Sequence, residues 1–430
     1  MSRRASARVA AALLAMAAGA AAAARAQAPP FNLGVRLVGR AASTRAAPSW
    51  LAGGTGRLTF GDGADRWQGT ALGEAQLLAD WEPNERFATH LHARARAQND
   101  GGGDAAGVVE AWAQVKAMPR GGADVFRLRA GQLFLPTSRE NLEPLWSSPF
   151  TYTLSAVNSW IGEEVRPIGL LADYELFGAE HGARAGVCMF GGNDTSGALL
   201  AWRGWTMGDR LSTLGETLPL PALPSLDPGG PFAGQDRAGT TPFGGDLDGR
   251  PGWAGYLRGR YSDLALVQVT HLDNRGDRAL HHGEYAWDTQ FDQVGFQLRP
   301  HADATLPNWT ISGEHLRGRT TMGLPTPAAD VSFHASYLLV SWEHPRGRFR
   351  ATARWDDFAT RDGDRLPNGE RSDEDGHAWT AALLWPVSQA LELGIEYVDM
   401  RVGRPALSGP GARADGGRSV TVGVRYGLGV

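Results

Sequence analysis

Cysteine is almost absent from this chain: Cys188 is the only one, which excludes an intrachain disulfide framework. Lysine is as scarce, with Lys116 alone among 42 basic residues. Against 46 acidic residues the net charge is −4, which excludes the basic surplus of a nucleic-acid binder. Beyond residue 26 no run approaches 18 apolar residues, so no later helix reads as a membrane span. Enzymatic signatures are missing too. The Gly-rich stretch GTGRLTFG at 54–61 precedes no helical pattern and is no phosphate cradle. No serine sits in a nucleophile elbow, and Glu314 and His315, adjacent on a strand, point to opposite faces. His281, His282 and Glu284 fall in a loop, and Asp373, Asp375 and Gly376 lack the remaining ligands of a calcium loop. No metal, no cofactor and no catalytic residue is expected, and the chain reads as a non-enzyme.

Glycine, at 57 residues, and tryptophan, at 15, are both abundant. The chain starts with Arg3, Arg4 and Arg8, continues with an apolar run from Val9 to Ala24, and reaches an A-x-A site at Ala24-Arg25-Ala26. This pattern predicts a signal peptide over 1–26 and a mature chain over 27–430. From Phe31 onward, segments of about ten residues alternate apolar with polar or small residues, each bounded by Gly, Pro, Asp or Asn. In Phe87–Gln98, for example, Phe87, Thr89, Leu91, Ala93, Ala95 and Ala97 oppose His90, His92, Arg94, Arg96 and Gln98.

A soluble sandwich also alternates, so connection length has to discriminate. Short links at Glu82–Glu85, Pro119–Ala123, Glu343–Gly347 and Pro386–Ala390 interleave with long ones at Asn99–Gly107, Arg317–Asp330, Thr360–Gly376 and Val402–Gly417. Short turns on one rim and long loops on the other predict an all-β fold, a transmembrane antiparallel β-barrel with short periplasmic turns and long extracellular loops. Alternating strand direction then gives about 16 strands. It places Gly56–Phe60 and Leu199–Met207 in loops, and about 18 strands result if both are strands instead. Within Tyr285–Arg299 the apolar phase switches from Trp287 and Phe291 to Val294, Phe296 and Leu298, which predicts a β-bulge near Gln293. The fold of the loop 192–251 is not readable.

Because an arginine at mid-depth on the lipid face is costly, Arg94, Arg96, Arg127, Arg129, Arg348, Arg350 and Arg354 are expected to line the pore. They either favour anions or neutralise Glu74, Glu110, Glu314, Glu392 and Glu396 across a polar lumen. After Leu135 the alternation stops for about 30 residues rich in aromatics, among them Trp146, Phe150, Tyr152 and Trp160. So long a link is functional or disordered, and its aromatics argue for order.

Together, RLRAGQLFLP with its aromatic loop and RPIGLLADY, then AGVCMFGGND, WDTQFDQVGFQL, WTISGEHLRGRT, RFRATARWDDFAT and the terminal VTVGVRYGLGV, resemble Gram-negative outer-membrane porins. The phosphate-selective porin-like group of 16-stranded channels is most similar. The resemblance implies a third external loop folded into the barrel, here 136–166, and a homotrimer. Arg139, Glu140, Glu143, Glu163, Glu164 and Arg166 are then the candidates for the constriction, or else struts that pin the loop to the wall. Two features depart from the family: Val430 stands where it usually ends in Phe, and with Lys116 as the only lysine phosphate specificity is not carried over.

The reading is a single outer-membrane barrel in lipid that lets small hydrophilic solutes, anionic ones included, diffuse passively, with no nucleic-acid partner. Two alternatives stand beside it. One is a structural or adhesive barrel closed by the 192–251 loop, and the other a barrel-embedded hydrolase with a Ser or Asp meeting a His at one rim.

Overall fold

A computed structural model describes residues 31–61, 63, 66–97, 105–178, 180–236, 238–300, 308–323, 328–364, 372–404 and 416–430. The expected leader, Gln98 and the tips of several long links lie outside the described residues. The strands are β1 (Phe31–Ala46), β2 (Gln68–Asn84), β3 (Phe87–Ala97), β4 (Ala106–Ala117), β5 (Asp124–Gln132), β6 (Ile168–Phe177), β7 (His181–Gly191) and β8 (Gly252–Tyr261). They continue as β9 (Ala265–Asp273), β10 (Asp288–Leu298), β11 (Asn308–Met322), β12 (Ala329–Glu343), β13 (Arg350–Asp362), β14 (Glu374–Pro386), β15 (Leu391–Gly403) and β16 (Gly417–Leu428). Each pairs antiparallel with its chain neighbours. β1 closes on β16 from Val35↔Leu428 to Ala46↔Gly417, giving one closed barrel of 16 strands.

The 18-strand alternative is therefore excluded. Gly56–Phe60 forms no strand, and Leu58 makes only a single bridge to Met207. Leu199–Met207 begins inside a short helix, α2 (Ala198–Trp202), in the β7–β8 link. Tyr285 belongs to a small hairpin, Leu280–His281 with Glu284–Tyr285, rather than to β10.

The bulge expected near Gln293 is absent. β10 keeps an unbroken register with both neighbours, Asp288↔Thr321 through Leu298↔Ile311 and Gln290↔Asp273 through Leu298↔Ala265. Its phase switch has a different cause. Phe291 faces inward and is buried, whereas Val294 and Leu298 face outward and are exposed.

Neighbouring strands show the same inversion. Towards the short-link rim the outward residues are apolar, with Leu257, Val269, Leu338, Ile395 and Val422 exposed. Aromatics border this belt: Phe31, Trp81, Trp309, Trp385 and Tyr426 near the short links, and Trp253, Trp355, Trp379 and Tyr397 above. Nearer the long links the outward row becomes His271, Asp292, Arg317, His334, Asp357, His377 and Arg401. The inward row there becomes Leu272, Phe291, Leu316, Phe333, Phe358, Ala378 and Met400, all buried. The lower zone is built for lipid outside and water inside. The upper zone has the polarity of a soluble protein, with an apolar core.

Two chain segments fill that core. The β5–β6 link, 133–167, carries α1 (Ala156–Glu164), whose Trp160 packs edge-on against Phe291, Phe333 and Trp205 with ring centroids 5.5, 5.3 and 5.9 Å away. Trp205 comes from the second segment, the β7–β8 link, and donates to the Ala359 carbonyl of β13 at 3.0 Å.

Candidate functional site

Ser155 caps α1 by accepting from the Asn158 amide at 3.2 Å, and Glu140 accepts from the Ser155 amide at 3.0 Å and from Asn158 Nδ2 at 3.1 Å. The wall then holds the segment through carboxylates that receive its backbone. Glu396 of β15 accepts from the Tyr152 and Thr153 amides at 2.6 and 3.0 Å. Asp356 of β13 accepts from the Ala156 amide at 3.1 Å, and Glu314 of β11 from Asn158 Nδ2 at 3.3 Å and the Arg139 amide. Such charge-assisted bonds, buried away from water, fix position as well as energy. Gly394 and Gly423 face each other across β15 and β16 and seat Tyr152; a Cβ on Gly423 would lie 2.6 Å from its ring.

Six of the seven arginines expected in the pore face the barrel interior. Arg94 bonds the Leu211 carbonyl at 2.5 Å and Glu216 at 3.0 Å, and Arg96 bonds Glu74 at 3.0 Å and Asp209 at 2.9 Å. Arg127 pairs with Asp173 and Glu175 at 3.0 and 2.7 Å. Arg129 donates to Gln114 at 3.0 Å and lies 4.1 Å over the Trp112 ring. Arg350 pairs with Glu343 at 2.7 Å, and the fully buried Arg354 with Glu140 and Asp356 at 2.5 and 2.8 Å. Arg348 is the exception. β13 begins at Arg350, and Arg348 sits exposed in the β12–β13 turn.

The loop residues divide differently. Glu140, Glu163, Glu164, Arg139 and Arg166 are buried, and Glu143 alone is half-buried, 3.4 Å from Arg36 of β1. Glu163 pairs with Arg203 of the second segment at 2.6 Å, and burial raises its carboxyl above the usual range. Glu164 accepts from Trp160 Nε1 at 2.5 Å and the Leu199 amide at 2.9 Å; burial outweighs these bonds and pushes it up to about 7. Arg166 is brought down to about 9 by burial. It donates only to carbonyls, those of Gly162, Ser212 and Val109 at 2.6, 2.5 and 3.0 Å, and lies over Phe134 and Phe243. It ties the end of α1 to β4 and to the second segment.

Between the first segment and the wall lies a slot of about 40 Å³ lined by Arg36, Val38, Arg40, Gln76, Leu145, Trp146, Ser147, Ser148, Tyr152, Leu154, Asp209, Leu211 and Arg425. Arg425 donates to the Ser148 and Thr151 carbonyls at 3.0 and 2.8 Å and lies 4.5 Å over the Tyr152 ring. Burial raises that phenol to about 12, so it stays neutral. Arg36, Arg40, Arg425 and Asp209 stand beside the residues expected to line the pore. Alternation carries a signal for three of them: Val35, Leu37 and Gly39 flank Arg36 and Arg40, and Val424 and Tyr426 flank Arg425. For Asp209, in an irregular link, there is none.

On the wall, Lys116, Arg129, Arg258 and Arg260 face inward and, with Arg139 on the inserted segment, make no ion pair among the described residues. Arg258 instead donates to Gln268 at 2.8 Å. Of the candidate metal ligands, His281 is 3.0 Å from Asp277, Glu284 accepts from the Thr241 amide, and Asp375, on β14 rather than in a loop, pairs with Arg361. Asp194, Asp246 and Asp248 bring carboxylates within 4.8 Å of one another, and each accepts a backbone amide.

No family model matches the chain, and no curated protein matches it as a relative. Solved structures do match. The outer membrane channel DcaP of Acinetobacter baumannii superposes with a TM-score of 0.55 at 9% identity, over 93% of this chain and 97% of that one. OmpF of Salmonella typhi, solved in complex with daunomycin, gives 0.53 at 11% over 93% and 97%. The anion-selective porin from Comamonas acidovorans gives 0.52 at 12% over 93% and 99%. The fold is that of outer-membrane porins. At these identities the likeness speaks for the barrel and not for any solute.

Proposed function

We propose that this protein is a porin of the outer membrane, a passive channel for small hydrophilic solutes with a preference for anions. The observation that carries the reading is the polarity of the lower zone: lipid-compatible outside, and inside lined by arginines that carboxylates only partly neutralise. Unpaired Lys116, Arg129, Arg139, Arg258 and Arg260 leave a positive field, and rings of basic side chains favour anions. Arginine forks suit planar carboxylates and phosphates alike, so the solute class is small organic or inorganic anions rather than phosphate alone.

A homotrimer is part of this proposal. The outward faces of β2–β4 carry Ala71, Ala75, Ala93, Ala95, Ala111 and Ala113, a low surface against which a second barrel could lie close.

One observation favours a second reading, the closed structural barrel. A slot of about 40 Å³ holds little more than a water or two. Single-channel recording in a planar bilayer separates the two. The channel reading expects discrete conductance steps of small size, and their absence would establish the closed barrel.

A further inference from the structure

The inserted β5–β6 link is not alone in the lumen. From Asn193 to Thr213 the β7–β8 link is buried almost without interruption, and its polar side chains bond the barrel wall. Arg210 joins Arg94 on Glu216, and the Trp205 amide donates to Glu374 of β14 at 3.0 Å. Asp209 lies between Arg40 of β1 and Arg96 of β3, with Arg96 at 2.9 Å. It is part of the slot lining, and it is the only carboxylate there; the charged residues that share the slot are Arg36, Arg40 and Arg425.

We infer that two inserted segments build the constriction of this channel, and that Asp209, carried by the second, sets how strongly the slot attracts anions. The inference rests on the channel reading and deepens it. Glu143 and Glu392 hold Arg36 and Arg425 from behind, at 3.4 and 3.2 Å, without lining the slot. Asp209 is thus the group whose charge a passing ion meets beside three guanidinium groups. Replacing it by Asn keeps the shape, leaves Arg96 on Glu74, and frees the charge of Arg40.

The test uses the full-length protein in planar bilayers under a potassium chloride gradient, with D209N and R40Q compared to wild type. D209N is expected to raise the anion-to-cation permeability ratio about fivefold, the worth of one unit charge near 4 Å in water. R40Q, which leaves Asp209 with one partner fewer, is expected to lower it. Replacing 198–213 by a short Gly-Ser linker is expected to at least double the conductance.

Conducting D209N and R40Q channels with an unchanged ratio, together with an unchanged conductance in the linker variant, would overturn the inference while leaving the channel reading intact. A wild-type protein without conductance steps would overturn the channel reading, and this inference with it.

Discussion

Arg354 has no exposed surface, and its guanidinium is enclosed by Glu140, Asp356, the Thr153 carbonyl and the hydroxyl of Thr151. Glu140 also accepts from the Ser155 amide and Asn158 Nδ2 at the start of α1. Removing Glu140 leaves Arg354 on Asp356 but strands the buried Ser155 amide, at a cost of about 1–3 kcal/mol. Glu140→Ala is therefore expected to lower the stability of the folded barrel by about 1–3 kcal/mol, read from denaturant unfolding in detergent. Glu164 makes a separate prediction. Its folded value is raised to about 7, so the packed helix binds this proton more tightly than the unfolded chain does. Its contribution is most favourable when the group is protonated, and is lost as pH rises from the ordinary carboxyl range through about 7. The thermal midpoint of wild type should fall, relative to Glu164→Gln, between pH 5 and pH 8. Parallel midpoints over that range would refute the role given to this carboxyl.

At the scale of the element, all sixteen strands were legible, because alternation and link length each report on barrel geometry and the two agree. Ends were less so. β11 runs on to Met322 rather than stopping near Leu316, since Arg317 and Arg319 still alternate outward while Leu316 and Thr320 stay buried inside. The phase switch in β10 misled for a related reason. An apolar residue was read as facing lipid wherever it stood, whereas above the membrane zone Phe291 faces a protein core. In the candidate site, arginine-bearing faces could be read from alternation, but partners such as Glu216, Asp209 and Arg203 arrive from an irregular link whose path no periodicity encodes. The β5–β6 link tests its own role. Deleting Asn141–Asn158 removes Tyr152 from its seat on Gly394 and Gly423 along with the capped start of α1. Conductance is expected to rise in barrels that still assemble; an unchanged value would place the link outside the conducting path.

The whole molecule is a barrel with two polarity zones, and the proposed function divides between them. The upper zone, polar outside and apolar inside, anchors both inserted segments around Trp160 and Trp205. The lower zone, apolar outside and basic inside, is the part that the proposed channel reading makes the conducting path. The proposed anion preference rests on the balance between cations without an ion pair among the described residues, such as Arg129 and Arg258, and the carboxylates of the lumen. The reversal potential of single channels under a potassium chloride gradient measures that balance directly. A potential displaced toward the chloride equilibrium value is expected; displacement toward the potassium value would show that carboxylates govern the lumen and would contradict the anion preference.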